Sequence, residues 1–466
     1  MSFHFKKLGL ALALTGSLAG CSAVVKTPYN LPSVQVPQQF QYDVQKNKNV
    51  NLSDQWWTLF NDAQLNQLVE QVLAKNSDLI VAGITLKQAR LQAGLAENQQ
   101  GIRTSSSVST GHNYDLRSGN GTDRGLSTSV GVSYELDLFG KLANQTEASR
   151  WEALASAQDL QATAQSLVAT TAKLYWQLGY LNERYNTIQQ NLASTQKIYE
   201  LVQSQYKAGA VSGLDLTQAE QSVQSQKASL SQIEQQRVET RTAIAVLLHM
   251  PVQQLSIQEP KQLPRNALPN IAVGLPADIL SRRPDLQASE LRLRKTLSNK
   301  DATKASYYPS INLTGNLGAS STSLTELLKN PALTLGASLS LPFLQYNDMK
   351  KDIAISDLEY EKAIIQYRQT LYQAFADVEN ALSNRTQLNQ QVQLQQRNVE
   401  LANKTEQLTE VRYRNGAIAL KNLLDAQETT RNARLSLVET KQNQYNAYVT
   451  LMQAMGGSPV KELPEQ

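Results

Sequence analysis

The sequence predicts an α+β membrane protein in which pairs of β-strands alternate with long helical hairpins. Three patterns support this fold class: an apolar stripe that repeats every 3.5 residues, four shorter segments in which apolar and polar residues alternate, and a constant offset of 207 residues that relates the two halves of the chain. The first pattern is typical of supercoiled helices, the second of strands with one wet face, and the third of an internal duplication.

The composition excludes several classes of protein. The 466 residues include 44 Lys+Arg and 40 Asp+Glu, a formal net charge of +4, whereas a nucleic-acid-binding domain normally carries a clustered basic excess. One Cys and three His are too few for a disulfide framework or a Cys/His metal cluster. No nucleophile lies in a recognisable motif with a base. We therefore predict no enzyme, no nucleic-acid partner and no metal or other cofactor.

The N-terminus predicts export. Two lysines precede an uncharged apolar run, residues 8–18, which is too short for a bilayer crossing of about twenty residues and ends in small residues, as a cleaved signal peptide does. The sequence Leu18-Ala19-Gly20-Cys21 resembles a bacterial lipobox, which implies that residues 1–20 are removed and that Cys21 carries a covalent lipid. The second residue of the mature chain would be Ser22. By the same resemblance, a residue other than Asp at this position implies sorting to the outer membrane. The alternative is an ordinary signal peptide followed by a chance cysteine.

The mature chain consists of two repeats of the same sequence pattern. The segment Tyr206-Lys207-Ala208-Gly209-Ala210-Val211 returns 207 residues later as Tyr413-Arg414-Asn415-Gly416-Ala417-Ile418, and Asp78-Leu79 returns as Asp285-Leu286. One offset that holds over so long a stretch indicates an internal duplication. The predicted segments are a lipid-anchored extended segment (21–53), a first repeat (54–250), a linker (251–262), a second repeat (263–457) and a C-terminal tail (458–466).

Each repeat contains a long helical hairpin. Apolar or small residues follow alternating steps of four and three over residues 160–206, which predicts a supercoiled helix about 70 Å long. A second helix follows the tip at Gly209, and the arrangement recurs around Gly416. Because a left-handed glycine commonly ends a helix, the hairpins are predicted at about 140–248 and about 346–455.

Four segments switch to a period of two, at about 104–114, 126–138, 309–319 and 333–343. Their length suits a tilted strand that crosses a membrane, and a soluble sandwich core is the alternative. A strand in lipid needs every backbone group paired, so four strands cannot stay there as an open sheet. Two chains would complete a narrow barrel of about eight strands, and three would complete one of about twelve with room for a lumen.

Motifs at the ends of these elements resemble one family. Tyr134-Glu135-Leu136-Asp137-Leu138-Phe139-Gly140 follows the second strand, Arg282-Arg283-Pro284-Asp285-Leu286 opens the second repeat, and the two hairpin tips match as well. Together with the lipobox and the duplication, they are similar to the TolC/OprM-like outer-membrane factors, efflux lipoproteins of the RND/NodT type. The resemblance spans nearly the whole mature chain. It implies four transmembrane β-strands per chain in a twelve-stranded trimeric β-barrel, above a periplasmic α-helical barrel.

The resemblance also implies a function and partners. We expect a passive homotrimeric duct in the outer membrane, lipid-anchored and with a long periplasmic extension, that exports drugs or other toxic small molecules. Its expected partners are outer-membrane lipid, a periplasmic adaptor (membrane fusion protein) and an inner-membrane RND-type pump, which supplies the energy. The alternative is a lipid-anchored periplasmic coiled-coil adaptor without a pore. The four amphipathic strands favour the duct.

Three tip residues are candidates for the gate of such a channel. By the tip motif, Asp215 and Asp425 match positions that hold or line the closed end, where acidic side chains can ring a pore. Ile418 stands where family members often carry a charged residue, which leaves an apolar constriction as the alternative to a charged one at that level.

The tips also have a local interpretation. Asp215-x-x-Gln218 and Asn422-x-x-Asp425 each match a helix N-cap followed by an acceptor at the third helical position, so we expect capping, with gating as an additional role. The tips are equally candidates for the contact with the adaptor, with Gly209, Val211 and Gly416 as the expected contact residues; in that case these three and Ile418 act through their shape.

Overall fold

The structure is a computed structural model that describes residues 25–42, 55–114, 121–264, 268–269, 282–321, 327, 329 and 331–456. Cys21, the predicted signal peptide and the predicted tail (458–466) lie outside these residues. The strands and α-helices of the described chain are, in order, α1 (Ala63–Lys75), α2 (Ser77–Asn98), β1 (Arg103–Tyr114), β2 (Gly121–Leu136), α3 (Lys141–Lys207), α4 (Gly213–Leu247), α5 (Pro284–Ser306), β3 (Ser310–Ser321), β4 (Pro331–Ser340), α6 (Tyr346–Arg414) and α7 (Leu420–Ala454).

The described residues form two compact units. Unit 1 takes its residues from the ranges up to 34, 84–158 and 288–370, and it contains the β-sheet. Unit 2 takes its residues from 35–83, 159–287 and 371 onwards, and it contains both hairpin tips. Each repeat therefore contributes to both units.

The sheet of unit 1 is antiparallel, with its strands in the order β1-β2-β3-β4. Residues directly opposite each other share a face. The register places apolar side chains opposite apolar ones and polar side chains opposite polar ones. Val130 lies opposite Leu317, which lies opposite Leu333, and all three side chains are exposed. On the other face the Ser107 and Ser129 hydroxyl oxygens are 2.9 Å apart. The four predicted strands are thus present, and the sheet has one apolar and one polar face.

The strand ends differ from the predicted ones by a few residues. β2 begins at Gly121 rather than at 126, and β4 covers Pro331–Ser340 rather than 333–343. β4 ends earlier than predicted because Pro342 has no backbone N–H that could pair with the neighbouring strand. Pro342 begins a 3₁₀ turn, Pro342–Leu344.

Side chains at the end of β2 hold the start of α3. Glu135 forms an ion pair with Lys141 at 2.5 Å. The Asp137 carboxylate accepts hydrogen bonds from the backbone N–H groups of Leu142 at 3.1 Å and Ala143 at 2.7 Å. A carboxylate at a helix N-terminus satisfies otherwise unpaired N–H groups and complements the helix dipole. Because Asp137 binds the N-terminus of α3, β2 ends before Asp137 rather than at the predicted residue 138.

The long helices follow the predicted heptad stripe. α3 and α6 have 67 and 69 residues, so each is about 100 Å long at about 1.5 Å per residue. The stripe residues of α3 that lie buried include Leu160, Leu167, Leu178, Leu181 and Ile188. Among the described residues, no helix has both the length and the apolar character that a bilayer crossing needs.

The core of unit 2 is aromatic and joins the two repeats. The Phe60 ring lies 4.6 Å from Trp176 of α3 and 5.0 Å from Tyr448 of α7, measured between ring centroids. Trp176 and Tyr448 are almost completely buried. Burial of such large rings makes this cluster a main source of hydrophobic stabilisation in the unit.

The duplication extends to individual contacts. The Asn76 side-chain amide donates to the Leu247 carbonyl at 3.0 Å, and 207 residues later the Arg283 guanidinium donates to the Ala454 carbonyl at 3.3 Å. The last carbonyls of a helix have no partner within it. Two different side chains therefore perform the same task at the end of each hairpin.

Arg283 also joins a charged cluster that has no counterpart at Asn76. Its guanidinium pairs with Asp285 at 2.7 Å and with Asp377 of α6 at 3.2 Å, while its side chain is 11% exposed. The residue that follows each hairpin, His249 or Gly456, has a left-handed backbone with φ of 54° or 79°. A Cβ at Gly456 would come within 2.7 Å of the Arg282 carbonyl, so the second repeat requires glycine at this position.

Residues 25–34, which we call the N-terminal strap, bind unit 1 through polar side chains. The Thr27 N–H and hydroxyl donate to the two carboxylate oxygens of Asp301, each at 2.7 Å, and Asp301 is 1% exposed. The Arg294 guanidinium lies 4.2 Å from the centre of the Tyr29 ring, a cation–π contact. The strap thus satisfies a buried carboxylate of α5.

Candidate functional site at the helix tips

The first hairpin turns through a left-handed glycine. α3 ends at Lys207, and Gly209 follows with φ of 73°. The Gly209 N–H donates to the Tyr206 carbonyl and the Ala210 N–H to the Gln205 carbonyl, both at 2.9 Å. This pair of bonds is a Schellman turn, which satisfies carbonyls at the end of a helix.

The second hairpin turns in the same way. Gly416 has φ of 70°, its N–H donates to the Tyr413 carbonyl, and the Ala417 N–H donates to the Arg412 carbonyl, again at 2.9 Å. A Cβ at Gly209 or Gly416 would meet no atom within 4 Å. The backbone conformation, rather than crowding, therefore calls for glycine at both tips.

The cap of α4 is Ser212, and the prediction of Asp215 as N-cap is wrong. The Ser212 hydroxyl accepts from the Asp215 N–H at 3.3 Å, and the Asp215 carboxylate accepts from the Ser212 N–H at 3.0 Å. This is a reciprocal capping box, with Asp215 at the third helical position. The hydrogen bonds from the Ser212 hydroxyl and N–H hold the pKa of the Asp215 carboxyl below its ordinary value.

At the second tip, the predicted Asn422 cap is also wrong. α7 begins at Leu420 after Ala419, which provides no side-chain cap. The start lies before Asn422 because the Leu420 side chain is buried, which draws the first turn into the tip core. Asp425 is consequently on the second turn, where it pairs with Lys421 at 2.6 Å and remains exposed.

The two tips share an apolar core. Val202 of α3, Ala219 of α4 and Leu420 of α7 are buried together, and Val211 and Tyr413 pack against them. Burial, and after it the negative charge of Asp215, raise the pKa of the Tyr413 hydroxyl above its ordinary value. The structure therefore brings the first tip's carboxylate into electrostatic contact with the second tip's phenol, a relation that no sequence pattern indicated.

A polar groove of about 510 Å³ lies between the hairpins beside this core. Its lining includes Lys421, Asp425, Glu428 and Arg431. These charges pair within α7, Lys421 with Asp425 at 2.6 Å and Glu428 with Arg431 at 3.0 Å. In the part of the chain that the structure describes, no group of His, Cys, Asp and Glu side chains could hold a metal ion.

The six predicted tip residues therefore occupy different environments. Gly209, Gly416 and Asp425 are exposed, whereas Val211 and Ile418 are half-buried and Asp215 is engaged with Ser212. Sequence reasoning overlooked Ser212, although Ser212-x-x-Asp215 has the spacing of a capping box.

Comparison with known proteins identifies the family. The model of the family "Outer membrane efflux protein" matches residues 68–248 and 275–457, one stretch in each repeat. Toxin and drug export protein A of Aggregatibacter actinomycetemcomitans is 28% identical over 98% of this chain and 98% of its own.

Solved structures agree with this match. The outer-membrane channel OprN has a TM-score of 0.83 at 25% identity, over 93% of this chain and 99% of its own. The open state of the MtrE outer-membrane channel of Neisseria gonorrhoeae has a TM-score of 0.81 at 27% identity, over 93% of this chain and 98% of its own. The TolC-like fold is thus present, and this chain belongs to the outer membrane efflux protein family, as an export channel subunit of the outer membrane.

Proposed function

We propose that three copies of this chain form one passive duct through which drugs or other toxic small molecules leave the cell. A periplasmic adaptor and an inner-membrane RND-type pump deliver these molecules and supply the energy. The observation that carries the proposal is the sheet of unit 1, which combines an exposed apolar face with two open edges.

The sheet needs partners to enter a membrane. Within the described chain β1 and β4 each have a neighbouring strand on one side only, and unpaired N–H and C=O groups are costly in lipid. Pairing β4 of one copy with β1 of the next closes the sheet into a ring. Three copies give about twelve strands, a size that leaves room for a lumen.

Helices of unit 1 provide a second seam between copies. Two stripes of exposed apolar side chains lie at heptad spacing on α2 and α6; their members are Ile84, Leu91, Leu95, Ile355, Leu358 and Ile365. The opposite side of α2 is already buried at Leu86 and Ala93. A buried apolar stripe on one side and an exposed apolar stripe on the other are typical of a helix that packs against neighbours on two sides. Neighbouring copies in a ring would cover these stripes.

The polar face of the sheet would line the duct. Across β2, β3 and β4 it includes Ser133 opposite Thr314, and Asn316 opposite Thr334. Small uncharged polar side chains do not select solutes by charge, so the pump would choose the substrate. The name of the Aggregatibacter relative, a toxin and drug export protein, supports this class of cargo.

We place the closure of the duct at the helix tips. Asp215 and Asp425 would line the closed end, and Ile418 would narrow it with an apolar side chain. Gly209, Gly416 and Val211 would form the surface that the adaptor contacts, and the exposure of the two glycines supports this assignment. A covalent lipid on Cys21 would anchor each copy.

Two neighbouring residues of β4 test the orientation of the sheet. Leu335 points to the apolar face and Thr334 to the polar one. We expect Leu335→Arg to prevent assembly, because an arginine facing mid-membrane lipid costs about 2–4 kcal/mol per copy. Thr334→Arg should assemble and alter ion preference. Heat-dissociable trimers on gels and conductance steps in planar bilayers provide the readouts.

Equal behaviour of the two arginine variants would contradict the assignment of the faces. A wild-type monomer without conductance would instead support an adaptor without a pore. For the gate, Asp215→Ala and Asp425→Ala should change conductance or cation preference. Unchanged conductance with lower thermal stability would leave Asp215 only its place in the capping box.

A further inference from the structure

A cavity of about 670 Å³ lies beside the N-terminal strap in unit 1. Its lining is mainly apolar and aromatic; it includes Val25 and Pro28 of the strap, Tyr308 before β3, and Phe343, Met349 and Ile353 after β4. Three separate parts of the sequence therefore converge on one apolar space, which we call the strap cavity.

The lining of the strap cavity includes residues next to the ends of two strands. Tyr308 lies two residues before β3, and Phe343 lies three residues after β4; both rings are partly exposed. Aromatic side chains at strand ends are typical of the boundary between hydrocarbon and headgroups. If the sheet crosses the membrane as proposed above, the strap cavity faces that boundary.

The chemistry of the strap cavity favours hydrocarbon over a charged headgroup. The two lysines of its lining already have acidic partners: Lys26 pairs with Glu147 at 2.9 Å, and Lys304 approaches Asp357 at 3.9 Å. Each of these two ammonium groups thus has a carboxylate neighbour, and Asp357 is shared with Lys300 at 2.8 Å.

The Thr27 and Tyr307 hydroxyls of the lining donate to Asp301 and Asp352. The rest of the lining is mainly aliphatic carbon, a thioether and aromatic rings, which an acyl chain can contact at little cost in polar desolvation.

The strap brings a source of acyl chains close to the cavity. Val25 lines the cavity, is 7% exposed and follows Cys21 by four residues. A chain spans at most about 3.6 Å per residue, so a tether of four residues reaches at most about 14 Å from Val25. A group tethered so closely has a high effective concentration at the cavity and cannot diffuse away from it, whereas a neighbouring phospholipid exchanges freely and a second copy of the chain has no tether.

We propose that the strap cavity holds one acyl chain of the lipid on Cys21. The lipid then fastens the strap to unit 1 in addition to anchoring the protein in the membrane. This inference rests on the acylation of Cys21 in the proposed function, and mass spectrometry of the mature chain tests that acylation separately.

A photochemical experiment tests the position of the acyl chain. A diazirine amino acid replaces Ile353, cells are grown with an alkyne-tagged fatty acid, and the purified protein is illuminated and digested with trypsin. We expect the tag and the Cys21 peptide to join the peptide that contains position 353. The same diazirine at Leu344, which is exposed and outside the cavity lining, should give no such product.

Other products would overturn the proposal. A tagged lipid on position 353 without the Cys21 peptide identifies free phospholipid as the occupant, and a crosslinked dimer identifies a second copy. Absence of any lipid on Cys21 by mass spectrometry removes the proposal together with its premise, while the duct itself stays open to the conductance test.

A stability cycle provides an independent measurement. The acylated protein is compared with a non-acylated form secreted behind a non-lipoprotein signal peptide. We expect acylation to raise the melting temperature by at least about 2 °C. Met349→Glu, which places a charge in the cavity, should abolish this difference, and the matched variant Leu344→Glu should preserve it. A difference that survives Met349→Glu, or no difference in the wild type, would overturn the proposal.

Discussion

Replacing Thr27 by Val should release the N-terminal strap from unit 1 while the rest of the unit keeps its fold. Valine has nearly the shape of threonine, so the substitution removes the hydroxyl and little else. The Thr27 hydroxyl donates to Asp301 Oδ1 at 2.7 Å, and the Thr27 N–H donates to Oδ2 at the same distance. The variant keeps the second bond and loses the first.

The size of the effect follows from the burial of Asp301. A hydrogen bond to a charged group contributes about 1.5–3 kcal/mol, and because Asp301 is 1% exposed, water cannot replace the lost donor. We therefore expect the Thr27→Val strap to open more easily by about 2–3 kcal/mol. With a factor of ten for about every 1.4 kcal/mol, this is about 30- to 150-fold more frequent opening.

Hydrogen exchange followed by mass spectrometry measures this opening directly. Amides of the strap should exchange about 30- to 150-fold faster in Thr27→Val, while amides of β2 and β3 should be unchanged. Thr27→Ser keeps the hydroxyl and serves as the matched control, with exchange close to that of the wild type. Equal acceleration in Thr27→Val and Thr27→Ser would refute the reasoning, since the hydroxyl would then not be what holds the strap.

Three further substitutions address the caps and the charged cluster. Ser212→Ala should cost about 1 kcal/mol in unfolding free energy. Because the pKa of Asp215 is lowered in the fold, the part of this cost that comes from the carboxylate is present above its unfolded pKa near 4 and is lost as the pH falls further. The melting curves of variant and wild type should therefore approach each other in acid, while the loss of the cap bond from the Asp215 N–H remains. Gly416→Ala should cost about 1 kcal/mol from the left-handed backbone alone, and Gly456→Ala at least about twice as much because its Cβ meets a carbonyl; urea unfolding distinguishes them, and equal costs would contradict the clash. Arg283→Met should destabilise by about 1.5–3 kcal/mol, because Asp285 and Asp377 lose a charged donor while both stay partly exposed to water, and a thermal stability like that of the wild type would show that the cluster contributes nothing.

Local periodicity made most of the fold predictable. Burial of Leu160, Leu167 and Leu178 follows from heptad spacing, and the exposed apolar face around Val130 follows from alternation in β2. These features depend on neighbours within a few residues. The ends of the elements were less predictable, since Pro342 and its missing N–H end β4 before its apolar alternation does.

Contacts between distant residues were not predictable from the sequence. Thr27 and Asp301 are separated by 274 residues, and neither residue stands in a repeating pattern. At the tips, Asp215 was recognised, but its partner in the capping box was not Gln218; it was Ser212, on the other side. α4 therefore begins before Asp215, after its Ser212 cap, and α7 begins before Asn422 because the buried Leu420 side chain draws its first turn into the tip core.

The attachments of the strap have a consequence for the order in which the protein matures. The strap is made and exported near the start of the chain, yet its partners Glu147, Glu290 and Asp301 follow more than a hundred residues later. Its bonds to Glu290 and Asp301 cannot form until α5 has left the translocation machinery. The strap can therefore be fully docked only in a chain whose α5 has been exported. A truncated polypeptide that stops before Asp301 would leave Thr27 accessible to proteases that degrade incomplete chains.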